Sequence, residues 1–319
     1  MKRILAAIAA LVLPLAALAQ PFPSKPIKIV VPYSPGGTTD LVARLVAQKL
    51  SERFGQPVLV DNKPGANGMI GTDLVAKSPP DGYTLGIASP GSHAANASLY
   101  KTLPYDTVKD FTPVTLAVSA PMLLIAHPSL GVSNVKELIA AAKARPGTIS
   151  YASGGSGSSQ HLAMELLKSM AGIDMTHVPY KGSAASYPDL LGGSVKLEMD
   201  VLPTALPPVK GGRLKVLATG SAKRLPMLPD VPTVAESGIP GYESSSWYGF
   251  VAPANLPPDV LQKLNAEIVR ALREPDVMEK LTSAGVIVVA GTPQEFAAHI
   301  RSEMDKSARI VRAANIQPD

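Results

Sequence analysis

Between Ile29 and Leu41 the chain passes directly from a strand through a glycine turn into a helix. Three β-branched residues, Ile29 to Val31, favour a strand, and an amphipathic helical pattern opens at Asp40. In this geometry the N–H groups at the start of the helix have no partner within it and attract an anion. A single turn of this kind is common, so its meaning depends on the rest of the chain.

The same succession recurs along the chain. Strand patterns occupy 58–60, 83–88, 149–152, 176–179, 195–201, 214–219 and 286–290, and helical patterns occupy 39–54, 135–144, 158–171, 258–272 and 293–314. This alternation predicts an α/β fold with mainly parallel sheets flanked by helices. Ligands bind such sheets outside the carboxyl ends of the strands. The small polar turns that follow several of these strands are therefore expected to face one cleft.

Two apolar, extended stretches, 111–124 and 245–251, do not fit this alternation. We interpret them as connections between two lobes, which predicts lobe 1 at 20–122 and 248–319 and lobe 2 at 123–247. The ligand cleft is expected between the lobes.

The N-terminus is typical of a secretory signal peptide. Lys2 and Arg3 precede an apolar run, and Ala17 to Ala19 form a small-residue cleavage site. A retained membrane anchor is the alternative, but the run is short for a span of about 20 residues. Cleavage after Ala19 removes 19 of 319 residues and predicts a periplasmic mature chain that begins at Gln20.

Composition narrows the range of functions. Loss of Lys2 and Arg3 lowers the formal net charge from +5 to +3. The sequence contains no cluster of basic residues of the kind that binds nucleic acid. The chain has no cysteine, and a mature protein of 300 residues needs no disulfides for stability. We expect a monomer with no cofactor.

The sequence lacks the common catalytic and metal-binding motifs. It has no nucleophile elbow, no zinc-protease helix and no phosphate-binding lysine loop, and residues 154–157 do not have the spacing of a dinucleotide site. His161 and His93 each open a helix and could act as a base, although a binding or structural role fits their position better. No catalytic residue and no metal ligand is predicted.

The polar turns are instead suited to holding a carboxylate. Glycine lets the backbone approach closely, hydroxyl groups donate hydrogen bonds, and helix N-termini add partial positive charge. The candidate ligand-binding residues are Tyr33, Pro35, Gly36, Gly37, Thr38, Thr39, Asp40, Ser92, His93, Ser153, Gly154, Gly155, Ser156, Gly157, Ser158, Ser159, His161, Tyr180, Lys181, Ser183, Asp200 and Trp247.

Three of these candidates leave alternatives open. Lys181 is either a solvated turn residue or a ligand contact. Asp200 would repel an anion unless it caps a loop or meets a ligand amine or hydroxyl. Trp247 either lines the cleft or packs in the hinge.

In combination, these motifs resemble the Bug (TctC-type) family of extracytoplasmic solute receptors. The matching segments are Pro32–Asp40, Asn62–Ala66, Asp81–Leu85, Tyr151–Leu162, Val178–Gly182, Pro232–Gly238 and Trp247–Gly249. The resemblance implies a two-lobed periplasmic binding protein (type II-like) that closes on an organic acid like a Venus flytrap. It also implies that the Pro35–Asp40 and Ser153–Ser159 loops hold the carboxylate, and that membrane permease subunits of a tripartite tricarboxylate transporter receive it.

The sequence departs from the family at Tyr33, where Phe is usual, and at Met199, where an aromatic residue often precedes the Asp. Both departures bear on the identity of the acid, which the resemblance leaves open among carboxylic, amino and aromatic acids. The alternative function is a receptor that presents the same ligand to a two-component sensor kinase. An enzyme is a third reading, for which no acid–base pair is visible.

Overall fold

The structure is a computed structural model that describes residues 22–317. The predicted signal peptide and its cleavage site lie outside this range. Across the range, no helix combines the length and the apolar character needed to cross a membrane.

Strands and helices alternate along the chain much as the sequence predicts. The strands are β1 (Ile27–Val31), β2 (Val58–Asn62), β3 (Thr84–Ala88), β4 (Phe111–Ala126), β5 (Ser150–Ser153), β6 (Thr176–Pro179), β7 (Leu197–Val201), β8 (Lys215–Thr219), β9 (Ser245–Pro253) and β10 (Ile287–Val288). The α-helices are α1 (Thr38–Phe54), α2 (Met69–Ala76), α3 (Asn96–Leu99), α4 (Val135–Ala144), α5 (Ser159–Ala171), α6 (Tyr187–Gly192), α7 (Leu202–Lys210), α8 (Pro258–Leu272), α9 (Pro275–Ser283) and α10 (Pro293–Ala313).

The strands form a curled mixed sheet in the order β2-β1-β3-β9-β4-β7-β5-β6, with β8 and β10 also paired to β4. Parallel pairing joins β1 to β2 and β3, and β5 to β6 and β7. The pairings of β4 and β9 are antiparallel. The predicted parallel pairing therefore holds within the two halves of the sheet, but not for the two long strands between them, which run against their neighbours.

Both stretches predicted to be extended connections are strands. β4 pairs with β9 along Phe111–Pro121 and with β7 and β8 along Met122–Ala126, so one strand passes from the first half of the sheet into the second. Pro113 lies at an irregularity in the β4–β9 register, a place where a strand tolerates a residue without an N–H group. Strand β4 thus joins two halves of one curled mixed sheet, which agrees with the predicted two-lobed α/β fold.

Local signals explain the two helices that matter most for the site. In α1, Val42, Val46 and Leu50 form a buried i,i+4 row, and Gly55 ends the helix in the left-handed conformation with φ 62°. In α5, the Ser158 side chain accepts a hydrogen bond from the His161 N–H group. Helix α5 therefore begins at a capped residue, and both helices directly follow a strand and a glycine turn.

Candidate functional site

A cleft lies at the carboxyl ends of β1, β3, β5, β6 and β7, with one wall formed by β9. Its cavity has a volume of about 60 Å³, whereas a single water needs roughly 10–15 Å³. The cleft therefore has room for a small organic molecule. The lining residues are Tyr33, Ser34, Gly37, Thr38, Thr39, Ser89, Pro90, Gly91, Gly154, Ser158, Ser159, Gln160, Gly182, Ser183, Ala184, Val201, Ser246 and Tyr248.

The first jaw of the cleft is the N-terminus of α1. Gly37, the residue before the helix, has an extended backbone and makes no side-chain cap, so the first N–H groups of the helix are not covered by a capping side chain. Thr38 is 4 % exposed, and its Oγ1 atom is buried without a hydrogen-bond partner. A buried hydroxyl in this state is costly, so it is suited to donate to a bound ligand.

Asp40 lies outside the cleft lining, and its hydrogen bonds fix the turn that precedes α1. Its carboxylate accepts hydrogen bonds from Arg44 Nε at 2.9 Å, from Gly36 N at 3.1 Å and from Asn62 Nδ2 at 3.0 Å. Burial alone raises the pKa of Asp40, but these hydrogen bonds outweigh it and bring the pKa below the ordinary value. Asp40 is therefore placed to support the loop rather than to touch a ligand.

The second jaw is the N-terminus of α5, where Ser158, Ser159 and Gln160 face the cleft. Two stacked imidazole rings, His161 and His177, support the preceding turn from behind, with ring centroids 3.7 Å apart. His161 Nδ1 accepts a hydrogen bond from Gly157 N at 3.0 Å, and His177 Nε2 lies 2.6 Å from Ser153 Oγ. The turn is thus fixed by groups that do not line the cleft, of which His161 and Ser153 are buried and His177 is half-buried.

Two glycines of this turn are required by its backbone conformation. Gly155 has φ +115°, and a Cβ atom there would lie 3.2 Å from the carbonyl oxygen of Tyr180. Gly157 has φ +77°, and its Cβ would lie 2.8 Å from a Leu99 methyl group. Both positions favour glycine because other residues rarely adopt these angles.

A third loop, after β6, closes the cleft on one side. Ser183 lines the cleft, and Ser34 Oγ, in the turn before α1, donates a hydrogen bond to the carbonyl oxygen of Lys181 at 3.1 Å. The Lys181 side chain is exposed, and the Tyr180 hydroxyl donates to Asp189 at 2.6 Å. The loop therefore contributes hydroxyl and backbone groups, while its cation and its aromatic ring lie outside the lining.

A chain of hydroxyl groups lies behind Tyr33. The Tyr33 hydroxyl is 2.7 Å from Ser89 Oγ, which is 3.1 Å from Ser92 Oγ, which in turn is 3.0 Å from His93 Nδ1. His93 packs edge-on against Phe111, with ring centroids 4.7 Å apart, and its burial lowers its pKa to about 3. His93 is therefore neutral, and its ring packs against the hydrophobic core next to the cleft and is not part of the lining.

The structure brings together only part of the predicted site. Eight candidates line the cleft: Tyr33, Gly37, Thr38, Thr39, Gly154, Ser158, Ser159 and Ser183. The other candidates lie outside the lining and are placed to support or flank it, which does not favour direct contact: Pro35, Gly36, Asp40, Ser92, His93, Ser153, Gly155, Ser156, Gly157, His161, Tyr180, Lys181, Asp200 and Trp247.

Trp247 lies on the face of β9 opposite the cleft, so its packing role is the one that the structure favours. Side chains alternate between the two faces of a strand, and in β9 this places Ser246 and Tyr248 toward the cleft. The indole instead packs against Phe296 and donates to Glu303 Oε2 at 3.1 Å. The alternation was visible in the sequence and could have identified Tyr248.

Other lining residues carried weaker signals. Ser89 and Gly91 lie in the polar turn after β3, where the sequence predicts Ser92 and His93 as the contacts. Gln160 lies in the first turn of α5 and points into the cleft, and Val201 adds an apolar contact at the end of β7. These lining residues could not be predicted from the sequence, because the direction of each side chain depends on the conformation of the turn that precedes it.

Chemically, the lining combines neutral donors with apolar surface. Among the described residues that line the cleft, none carries a formal charge. Throughout residues 22–317, no three His, Asp or Glu side chains are grouped so that they could hold a metal ion. The arrangement is suited to binding a small anion through hydrogen bonds from hydroxyl groups and helix N-termini.

Comparison with known proteins agrees with this interpretation. The structure of R. palustris Rpa4515 with adipate has 41% sequence identity to this chain and a TM-score of 0.90, and the match covers 93% of this chain and 100% of that one. The periplasmic binding protein BugD has 35% identity and a TM-score of 0.88, with coverage of 93% and 100%. MatC from Rhodopseudomonas palustris, solved with bound malate, has 32% identity and a TM-score of 0.85, with coverage of 91% and 100%.

A family model agrees with these structures over most of the chain. The TctC model, described as "Tripartite tricarboxylate transporter family receptor", matches residues 42–316. That range includes most of α1, the whole of α5 and the strands β2 to β10. The chain therefore belongs to the tripartite tricarboxylate transporter receptor family, the Bug (TctC) family of periplasmic solute-binding proteins.

Proposed function

We propose that this chain captures an organic carboxylate in the cleft and delivers it to the membrane permease subunits of a tripartite tricarboxylate-type transporter. Family membership supports the receptor role, and two solved relatives hold the carboxylates adipate and malate. The observation that carries the proposal is that α1 and α5 begin at the same cleft and that the lining has no formal charge.

The energetics of such a site are adequate for uptake. A hydrogen bond to a charged group contributes about 1.5–3 kcal/mol. Three or four of them supply much of the roughly 8 kcal/mol that corresponds to micromolar affinity. Thr38, Ser158 and Ser183 are among the hydroxyl groups that line the cleft, and the helix N-termini add backbone donors.

The remaining parts of the proposal concern the protein as a whole. We propose cleavage after Ala19, a monomer in the periplasm, and lobes at 20–122 with 248–319 and at 123–247. The half-sheets on either side of Met122 support these bounds. We propose binding without turnover and without a cofactor, since the lining offers hydroxyl, amide and backbone groups and no acid–base pair.

A thermal-shift screen of residues 20–319 tests ligand binding. The panel contains mono-, di- and tricarboxylates, amino acids and aromatic acids, and the diamides of the same diacids serve as uncharged controls. An acid present at a hundred times its Kd adds about 2.7 kcal/mol of stability, which raises the Tm of a protein of this size by roughly 5 °C. The proposal is wrong if no acid shifts the Tm, or if the amides shift it equally.

Uptake of the labelled acid tests the transporter role. Cells that lack this chain should take up the acid slowly, and expression of the chain should restore the rate. If the purified protein binds the acid but uptake is unchanged in its absence, the delivery step is wrong, and the sensor-kinase alternative becomes the function to test.

A further inference from the structure

Gln160 lines the cleft, but the NH₂ group of its side-chain amide already makes a hydrogen bond within the protein. Gln160 is the second residue of α5 and is 7 % exposed. Its Nε2 atom donates a hydrogen bond to Asp200 Oδ1 at 3.0 Å. The orientation of the amide follows from Asp200, because its two oxygen atoms also accept hydrogen bonds from their other partners.

The carboxyl group of Asp200 accepts hydrogen bonds from four neighbouring groups. It is fully buried, and besides Gln160 it accepts hydrogen bonds from Val201 N at 2.8 Å, from the Tyr187 hydroxyl at 2.9 Å and from the Thr204 hydroxyl. Burial raises the pKa of Asp200 above its ordinary value, and the four donors that converge on its two oxygen atoms limit this rise. Because all four partners donate to it, Asp200 acts as an acceptor. Asp200 therefore fixes the Gln160 amide with its NH₂ group turned inward.

The other end of the amide then faces the cleft. Gln160 Oε1 accepts a hydrogen bond from Ser159 Oγ at 3.2 Å, and it would lie 3.4 Å from a Cβ atom built on Gly154. Ser159 and Gly154 both line the cleft. An amide oxygen has two lone pairs, so Oε1 can accept a second hydrogen bond from a ligand.

An acceptor at this position imposes a condition on the ligand. The surrounding groups at the start of α5 are donors suited to a carboxylate, whereas Oε1 repels one. Ser159 satisfies one of its two lone pairs, and the second is satisfied in the closed cleft if the ligand brings a donor of its own. Since Gln160 lies in the first turn of the helix that faces the carboxylate, the donor must be close to that carboxylate.

We propose that Asp200 is a positioning residue that holds Gln160 Oε1 toward the cleft, and that the site thereby prefers carboxylates with a neighbouring hydroxyl or ammonium group. This inference rests on the proposed function and deepens it. It also accounts for a buried carboxylate beside an anion site, because Asp200 acts on the ligand only through the Gln160 amide.

Calorimetric titration with matched acid pairs tests the inference. The pairs are succinate with malate and aspartate, and adipate with 2-hydroxyadipate and 2-aminoadipate. We expect the parent protein to bind the donor-bearing member of at least one pair about tenfold more tightly, the value of one well-formed hydrogen bond. Equal binding within every pair, or preference for the unsubstituted acids, overturns the inference and leaves the proposed function intact. If no acid binds at all, both fail.

Two variants separate positioning from a structural role. Gln160→Met keeps the length of the side chain and removes the acceptor, so the preference should fall below about threefold while the unsubstituted acid binds as before. Asp200→Asn lets the Gln160 amide turn over, which should also abolish the preference. Should Asp200→Asn fail to fold, Gln160→Met alone decides. Gln48→Met, on the exposed face of α1, is the matched control and should keep the parent preference. A preference retained in Gln160→Met overturns the inference.

Discussion

Replacing Thr38 with valine should weaken ligand binding while the protein without ligand becomes more stable. The side chains have the same shape, and the change removes only a hydroxyl group whose oxygen is buried without a partner. Such an unsatisfied group costs about 1–3 kcal/mol, so we expect the free energy of unfolding without ligand to rise by about 1 kcal/mol. A hydrogen bond to a charged ligand contributes about 1.5–3 kcal/mol, so the Kd should increase by roughly ten- to a hundredfold.

Two measurements are required, because the two effects have opposite signs. Urea unfolding at equilibrium gives the stability without ligand, and calorimetric titration with an acid from the thermal-shift panel gives the Kd. The reasoning is refuted if Thr38→Val lowers the stability and leaves the Kd unchanged. That result would mean that the hydroxyl group has a partner inside the folded protein and does not donate to the ligand.

Thr107→Val is the matched control. Thr107 is 5 % exposed, its Oγ1 atom is also buried without a hydrogen-bond partner, and it lies outside the cleft lining. The stability should change in the same direction as in Thr38→Val, whereas the Kd should stay within about twofold of the parent value. Weaker binding in both variants would show that the loss in Thr38→Val is indirect.

Two further predictions concern His93 and Gly37. Because burial lowers the pKa of His93 in the folded state to about 3, the unfolded chain takes up the proton first. His93 should therefore cost about 1.4 kcal/mol of stability per pH unit as the pH falls below about 6, and urea unfolding of His93→Phe at pH 7, 6 and 5 should show a flatter dependence than the parent; parallel curves would contradict this. Gly37→Leu should weaken binding about a hundredfold or more, since a Cβ atom there meets only Thr39 Oγ1, at 3.9 Å, in the cleft. Its Tm without ligand should move by less than about 2 °C, as should that of the remote control Gly192→Leu, where a Cβ atom meets open space and binding should be normal; a large Tm loss in Gly37→Leu alone would mean that the position is structural.

Local signals were sufficient to predict most elements of the fold. Helix α4 and strand β6 occur at the predicted residues, and α4 begins after Asn134, whose side chain accepts a hydrogen bond from Glu137 N. Helix α7 was missed, because its prolines argue against a helix. Pro203 lies in the first turn, where no N–H group is needed, but Pro207 and Pro208 lie within the helix. The helix packs against β4 and β7, and such tertiary packing supplies most of the stability of helices in proteins.

Sheet pairing depended on partners far away in the sequence. The alternation of strands and helices predicts parallel neighbours, and this holds for β1 with β3 and for β5 with β7. Strands β4 and β9 are separated by more than a hundred residues, and their antiparallel pairing follows from the path of the chain between the two halves. No local pattern contains that information.

The candidate site also has features that could be predicted from the sequence and features that could not. The loops that line the cleft could be identified because a strand, a glycine turn and a helix place the helix N-terminus at the edge of the sheet. Which side chain of each loop faces the cleft depends on one or two backbone angles. Asp40 and His93 therefore carried a functional signal in the sequence and serve as supports in the structure.

A lining without formal charge has a consequence for how a receptor works. An arginine would hold a carboxylate more strongly, but it would have to be desolvated and ordered each time the cleft closes. Backbone N–H groups at a helix N-terminus are already ordered by the helix, so little entropy is lost when the ligand binds. The proposed binding through Thr38, Ser158 and their neighbouring N–H groups would therefore favour moderate affinity with rapid release. A receptor that must deliver its ligand to a permease needs that combination more than it needs the tightest possible binding.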